Sequence, residues 1–314
     1  MTLALLPPKM DFVFKKIFGN ENHPNILISF LNAVLNPIDP IKSVTLQDTT
    51  IEKEYLTDKW GPHPAKQVSS IDGVIGRLDV RATTDKGEHI NIEIQLDNKY
   101  NMIKRSLYYW SKLYEGQLES GNDYQKLART ICINLIDFNL LNHNKFHSVY
   151  RLKDCETHEE LTDIIELHFI ELKKMKHVKH VDEVKSKLEA WLHFINQPDS
   201  ELVRELEAVE SEIKSAKAEL IRLSGNKEER ELFEKRRQAM LDEVSALAFA
   251  EEKGIQKGLE QGLEQGLELG LEQGAKKEKI EIAKTAIENG LDNEMIIKLI
   301  GLSLEEVEAM RTKM

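Results

Sequence analysis

The alternation of apolar and polar residues between Gly76 and Leu96 restricts the fold more than any other stretch of this chain. It reads Gly76-Arg77-Leu78-Asp79-Val80-Arg81-Ala82, then Thr84-Asp85-Lys86-Gly87, then His89-Ile90-Asn91-Ile92-Glu93-Ile94-Gln95-Leu96. A period of two is that of a half-buried strand, and the Asp-Lys-Gly centre predicts a hairpin turn. The chain must therefore build a sheet with an antiparallel pair at this point. Parity sets Val80, Ala82, Ile92 and Ile94 on one face and Asp79, Arg81, Glu93 and Gln95 on the other. Two carboxylates and an amide oxygen, carried toward one spot, form an oxygen-rich set that suits Mg²⁺ or Mn²⁺. Such a set can activate water and stabilise a phosphoryl transition state. A plain solvated face has the same parity, so the alternation leaves both readings open.

Helix and strand patterns alternate around this hairpin. Helical spacing runs over Asp11–Phe18 and Asn25–Leu35, stopping at Asn36-Pro37. Strands are expected at Lys42–Leu46, Ser69–Thr84 and Glu88–Leu96, then a helix over Asn101–Glu119 closed by Ser120-Gly121-Asn122-Asp123. Thr130–Ile136 reads as a buried strand, with alternating strands at Phe146–Leu152 and Ile164–Leu172. From about Val181 the chain turns helical: Asp182–Ile195, Glu201–Leu223 and Lys227–Glu252. The apolar row Leu202, Leu206, Val209, Ile213, Ala216 and Leu220 suits either a coiled-coil seam or a face packed on the preceding domain.

Four segments together resemble the PD-(D/E)XK nuclease family transposases, also called the recombination-promoting nuclease family. They are Asp11-Phe12-Val13-Phe14-Lys15-Lys16-Ile17-Phe18-Gly19, the hairpin Leu78-Asp79-Val80 to Ile92-Glu93-Ile94-Gln95, the stretch Arg105-Ser106-Leu107-Tyr108-Tyr109-Trp110 through Tyr114, Gly121, Asp123 and Tyr124, and the charged glycine-periodic tail. The resemblance implies an α/β fold with a restriction-endonuclease-like core, a mixed sheet flanked by helices, followed by a long α-helical C-terminal region. It also implies metal-dependent hydrolysis of DNA phosphodiesters linked to DNA recombination, with Mg²⁺ as cofactor and Mn²⁺ as a possible substitute. Carried over by position, Asp79 and Glu93 would be the metal ligands. Gln95 stands where the wider superfamily has lysine, and Leu78 where it has proline. The neutral Gln95 leaves the proton-handling group unassigned. Asp11 or Glu21 can complete the site from the first helix, although an Asp ahead of an apolar-periodic run is also a common helix N-cap. Lys15, Lys99, Lys104 and Arg105 are candidate phosphate contacts, although a solvated helix face is the commoner role for each taken singly. Asp72 carries no assigned role.

The expected organisation is a nuclease domain over 1–175, a helical region over 176–252, a glycine-periodic helix or linker over 253–278 and a small helical module over 279–314. A net charge of −11 argues at first against nucleic acid. Residues 1–130, however, hold 16 basic and 16 acidic side chains, while 201–314 hold 18 and 26, so the acid excess lies mostly in the tail. Binding to DNA is expected to be weak and salt-dependent. No apolar run is long enough to cross a membrane. Cys132 and Cys155 read as reduced packing residues of a cytoplasmic protein.

In the tail, Gly254, Gly258, Gly262, Gly266, Gly270 and Gly274 recur at every fourth position, each followed by Leu or Ile until Ala275. A four-residue step overshoots a full helical turn by about 40°, so a glycine stripe winds slowly beside an aliphatic one. Each glycine costs about 1 kcal/mol against alanine, and the helix persists if the glycines let another helix approach. Association between subunits through the C-terminal helices is therefore expected, with a flexible acidic linker as the alternative. Asp292 or Asn293 can cap Glu294–Ile300, and Ser303-Leu304-Glu305-Glu306 is a capping box. Two functions of different class follow: a Mg²⁺-dependent DNA endonuclease, or a catalytically silent binding and assembly protein that keeps the nuclease fold.

Overall fold

The computed structural model describes residues 4–52, 74–77, 79–98, 101–118 and 123–313. They divide into two compact units, Met1–Phe233 and Glu234–Met314.

The first unit opens with α1 (Asp11–Phe18) and α2 (Pro24–Leu35). Pro24 fits the first helical turn, where its missing N–H costs nothing. Asn36 ends α2 in the left-handed region, at φ 43°. The strands are β1 (Val44–Leu46), β2 (Thr50–Glu52), β3 (Val74–Arg77), β4 (Val80–Thr84), β5 (His89–Gln95), β6 (Thr130–Ile136), β7 (His147–Lys153) and β8 (Glu160–Glu171). A six-stranded sheet has the order β1-β4-β5-β6-β8-β7, and β2 and β3 pair separately. β5 with β6 and β6 with β8 run parallel, and the remaining pairs are antiparallel. Parallel neighbours need a crossover; between β5 and β6 it is α3 (Met102–Glu115).

One face of the sheet carries Val80, Ala82, Ile90, Ile92, Ile94, Ile131, Ile133, Leu135 and Ile170 into a core shared with α1, α2 and the later helices α4 (Lys187–Asn196), α5 (Glu201–Val209) and α6 (Ser211–Gly225). Trp191 is fully buried there among Phe18, Phe30 and Phe194, and its indole N–H donates to Ser29 Oγ at 3.1 Å. The other face packs Cys132, Ile136, Leu167 and Phe169 against Met102, Tyr109 and Leu113 of α3.

The first face also buries an ion network. Glu166 is 1% exposed. Its Oε2 accepts from Arg129 at 2.7 Å and from Arg151 Nε, and its Oε1 pairs with His168 Nε2 at 2.7 Å. Arg129 also reaches Glu88 at 3.0 Å, and His168 Nδ1 meets His147 Nε2 at 2.9 Å. Burial pulls the Glu166 carboxyl up, but His168 and the Arg129 guanidinium outweigh it and hold it down to about 2.

Several elements depart from their sequence expectations. The strand expected over Ser69–Thr84 begins outside the described residues, and within them the chain leaves the β2–β3 pair and enters the main sheet around Asp79. A short strand at Thr50–Glu52 was not expected. The helix expected from Asp182 starts only at Lys187, where Ser186 accepts the Glu189 N–H at 3.2 Å as an N-cap. The run 201–223 breaks at Glu210, whose extended backbone separates α5 from α6. Leu202, Leu206, Ile213, Ala216 and Leu220 are core residues, whereas Val209 is 63% exposed; the apolar row is a packed face. Helices α4 to α6 share the sheet's core within the first compact unit. Cys132 is buried, but Cys155 is exposed and is not a core residue.

In the second unit, the glycine-periodic stretch and its flanks lie within a single helix, α7 (Lys227–Glu288), which begins in the first unit. A Cβ built at any of Gly254, Gly258, Gly262, Gly266, Gly270 or Gly274 meets no described atom within 4 Å. Ile255, Leu259, Leu263, Leu267 and Leu271 beside them are exposed. At the end of the chain Asp292 caps α8 (Asn293–Ile300), accepting from Met295 N–H at 2.8 Å. Gly301 turns the chain at φ 73°, and Ser303 and Glu306 cap α9 (Leu304–Lys313) reciprocally at 3.0 and 3.3 Å. Ala283, Ile296, Leu302 and Val307 form the small core there. Among the described residues no helix is long and apolar enough to cross a membrane.

Candidate active site

β5 presents Glu93 on the α3 face, beside Asn134 of β6. Val80 pairs with Ile92, so Asp79 comes opposite Glu93 where the chain enters β4. Asp79 Oδ2 accepts the backbone N–H of Ile94 at 2.7 Å, which fixes one carboxylate oxygen against β5. From α3, Arg105 reaches back over the sheet. Its NH2 group meets Glu93 Oε2 at 3.2 Å and its NH1 group donates to Gln95 Oε1 at 2.9 Å. The guanidinium also lies 5.4 Å from the Tyr109 ring centre. Glu93 is 4% exposed, and its Oε1 is buried with no hydrogen-bond partner among the described residues.

Both carboxyls are pushed toward the protonated form. Burial raises Asp79 to about 6 and the Asp11 charge adds to it, while the Ile94 N–H, Arg105 and Lys15 pull it down. Burial raises Glu93 to about 8, reinforced by the Asp79 charge and opposed by Arg105 and Asn91. Desolvation disfavours the charged form of each acid, and a single guanidinium does not offset two carboxylates.

The sequence set Asp79, Glu93 and Gln95 thus comes together, and Asp11 and Lys15, one turn apart on α1, lie within electrostatic reach of Asp79. Asp11 is not the N-cap of α1, which is Met10; it sits in the first turn and accepts the Phe12 N–H at 2.7 Å. Lys15 donates to Thr49 Oγ1 at 2.6 Å. Glu21 is exposed and lines a small hollow with Phe18, Pro24, Leu27 and Val44, away from the carboxylates. Lys104 is exposed on α3. Lys99 and Asp72 lie outside the described residues. Sequence reading missed the bridge that Arg105 makes between Glu93 and Gln95. A signal existed: a crossover helix between neighbouring parallel strands packs back onto their sheet, which brings an inward-facing Arg in its first turns over β5.

The donors fit a hard divalent cation. Two carboxylates and an amide oxygen are the ligand types Mg²⁺ prefers, and the unpartnered Glu93 Oε1 is a buried acceptor in want of a positive partner. Among the described residues no group of three His, Cys, Asp or Glu side chains is arranged to hold a metal, so Gln95 or water would complete such a shell. No curated protein and no solved structure matches the chain. Residues 8–250 match the family model described as PD-(D/E)XK nuclease family transposase. That match takes in the whole sheet with its flanking helices, in keeping with a restriction-endonuclease-like core, and the Asp79, Glu93 and Gln95 set. The chain therefore belongs to the PD-(D/E)XK nuclease family transposases.

Proposed function

We propose that this protein is a metal-dependent DNA endonuclease that hydrolyses phosphodiester bonds, acting in the cytoplasm in DNA recombination. The observation that carries the reading is the under-neutralised pair of buried carboxylates, Asp79 and Glu93, with one Glu93 oxygen left without a partner. Asp79 and Glu93 would hold Mg²⁺ or Mn²⁺, with the Gln95 amide oxygen in reach of the same shell. The ion supplies Lewis-acid stabilisation of phosphoryl charge and a water of lowered pKa.

The protein's own groups do the rest. The Ile94 N–H keeps Asp79 turned toward Glu93. The walls of β5, β6 and α3 exclude bulk water from Glu93, which strengthens every charge interaction there. Lys15 on α1 and Lys104 on α3, both exposed, would meet phosphates of a bound strand. Asp11 adds negative charge beside Asp79.

Self-association through α7 belongs to the same reading. Its exposed leucines, Leu259, Leu263, Leu267 and Leu271, run beside glycines whose Cβ positions are open, and a second such helix would bury both rows. The same row supports the other reading, a catalytically silent assembly protein.

Plasmid cleavage at low salt with Mg²⁺, Mn²⁺ or EDTA, beside the Asp79→Ala and Glu93→Ala proteins, decides between them. Metal-dependent nicking that both substitutions abolish is the expected result. Cleavage that survives both overturns the site, and no cleavage in any metal favours assembly alone.

A further inference from the structure

Arg105 sits where a cation is needed, and the endonuclease reading gives that position a consequence. The guanidinium occupies two oxygens of the Asp79, Glu93 and Gln95 set expected to face a divalent ion, Glu93 Oε2 and Gln95 Oε1. It leaves the other Glu93 oxygen, Oε1, buried and unpaired among the described residues. The arrangement is therefore only half satisfied. An unpaired buried acceptor costs about 1–3 kcal/mol, whereas both Glu166 oxygens on the opposite face are fully engaged.

The two partners are also unequally held. The Glu93 side chain is 5% exposed and the Arg105 side chain 30%, so Arg105 is the partner nearer to solvent, and its Nε is buried without a hydrogen-bond partner among the described residues. Its backbone is anchored: Met102, Ser106 and Tyr109 of the same helix are buried, and Ser106 Oγ accepts from Asn134 at 2.9 Å. The Tyr109 ring, 5.4 Å from the guanidinium in its present position, adds a contact from the same helix that does not depend on the carboxylates. Asp79, Glu93 and Gln95 would hold a compact divalent ion together, whereas the arginine fork reaches only Glu93 Oε2 and Gln95 Oε1.

We propose that Arg105 is the resident counter-cation of the Asp79–Glu93 site: it exchanges with the divalent ion, and the released guanidinium then binds a phosphate of the DNA backbone. The proposal rests on the endonuclease reading, and it gives the positive charge absent at Gln95 a source on α3. An arginine released beside the carboxylates lies close to the scissile group and matches phosphate oxygens bidentately.

The test uses the full-length protein labelled with ¹⁵N-arginine, with Arg105 signals assigned by their loss in Arg105→Lys. A guanidinium bonded at two nitrogens rotates slowly and gives separate Nη resonances. On addition of MgCl₂ these are expected to collapse as the Ile94 amide, bonded to Asp79, shifts. In cleavage assays Arg105→Met should lose on the order of 100-fold in kcat, the scale of one transition-state donor, with Arg105→Lys recovering part of it. If Mg²⁺ shifts Ile94 but leaves the Arg105 resonances separate, Arg105 keeps its seat and the exchange is wrong, while the endonuclease reading stands. Wild-type cleavage by Arg105→Met, at unchanged thermal stability, overturns the phosphate role. If neither Ile94 nor Arg105 responds to Mg²⁺ and no DNA is cut, the metal site itself fails and the proposal fails with it.

Discussion

Glu93 and Glu166 are buried glutamates on opposite faces of one sheet, 4% and 1% exposed, and their surroundings act in opposite directions. Glu166 meets Arg129, Arg151 and His168, both its oxygens are engaged, and its carboxyl is held down to about 2. Glu93 meets one guanidinium on one oxygen, faces the Asp79 charge, and is raised to about 8. The same desolvation cost is offset in one place and left standing in the other. A network that closes on itself serves the fold. A buried acid pair short of positive charge costs stability and gains it back only when a cation arrives, which is the usual signature of a working site.

The largest effect is expected at Glu166. Glu166→Ala leaves Arg129 and Arg151 clustered without their shared anion, and breaking a buried ion pair costs about 3–5 kcal/mol. Urea denaturation at pH 7 checks this, and a loss below about 1 kcal/mol would mean that the network does not carry the fold. Its pH dependence has a definite sign. A depressed carboxyl adds stability above the ordinary value of 4.5, and that stability drains away as pH falls from there through about 2.

Glu93 should behave in the reverse sense. Its raised carboxyl favours the protonated folded form, so stability is fullest below 4.5 and declines as pH climbs toward 8. Glu93→Gln is therefore expected to stabilise the metal-free protein at pH 8 by about 1–3 kcal/mol, with the gain vanishing at pH 4. It should also abolish cleavage. Thermal unfolding of both proteins at the two pH values reads this directly, and a destabilised Glu93→Gln at pH 8 would put Glu93 in the same class as Glu166.

Metal should then reverse the wild-type trend. Because the ion must displace a proton from Glu93 as well as the Arg105 guanidinium, its affinity is expected to rise between about pH 6 and 8, bringing a Tm increase that Glu93→Gln lacks. Calorimetric titration with Mg²⁺ across that range measures it. A flat affinity would separate the metal from Glu93.

How much of this the sequence discloses follows from how local each cause is. Period-two alternation located β4 and β5, and parity put Glu93 and Gln95 on one face, because those are properties of neighbouring residues. The break at Asp79 was hidden, since leaving one sheet for another is a tertiary event with no local pattern to mark it. Glu166 and His168 read as ordinary alternate positions of a strand, because Arg129 and Arg151 meet them only through strand pairing. Arg105 was singled out from sequence for phosphate, and only the crossover of α3 reveals that it lies on Glu93 first. The caps at Asp292 and Ser303, which act over three residues, were readable in full. The glycine stripe predicted its own helix, but the close neighbour invoked for it is absent among the described residues of the chain.

The smallest expected effect concerns Asp11, and it sharpens the contrast by asking how many charges belong to the working site. Asp11 is exposed, and its charge raises the Asp79 carboxyl less than burial does. As a background charge, its replacement by Asn should lower the Asp79 value slightly, change stability by less than about 0.5 kcal/mol, and alter cleavage only severalfold. As a direct ligand it would behave like Asp79, with cleavage lost and metal binding weakened together. Exposure and the bond to the Phe12 N–H favour the background role. A side chain open to water gives up little hydration to hold an ion, whereas the two buried carboxylates have already lost theirs, and that prior loss is what makes them the pair a cation would seek.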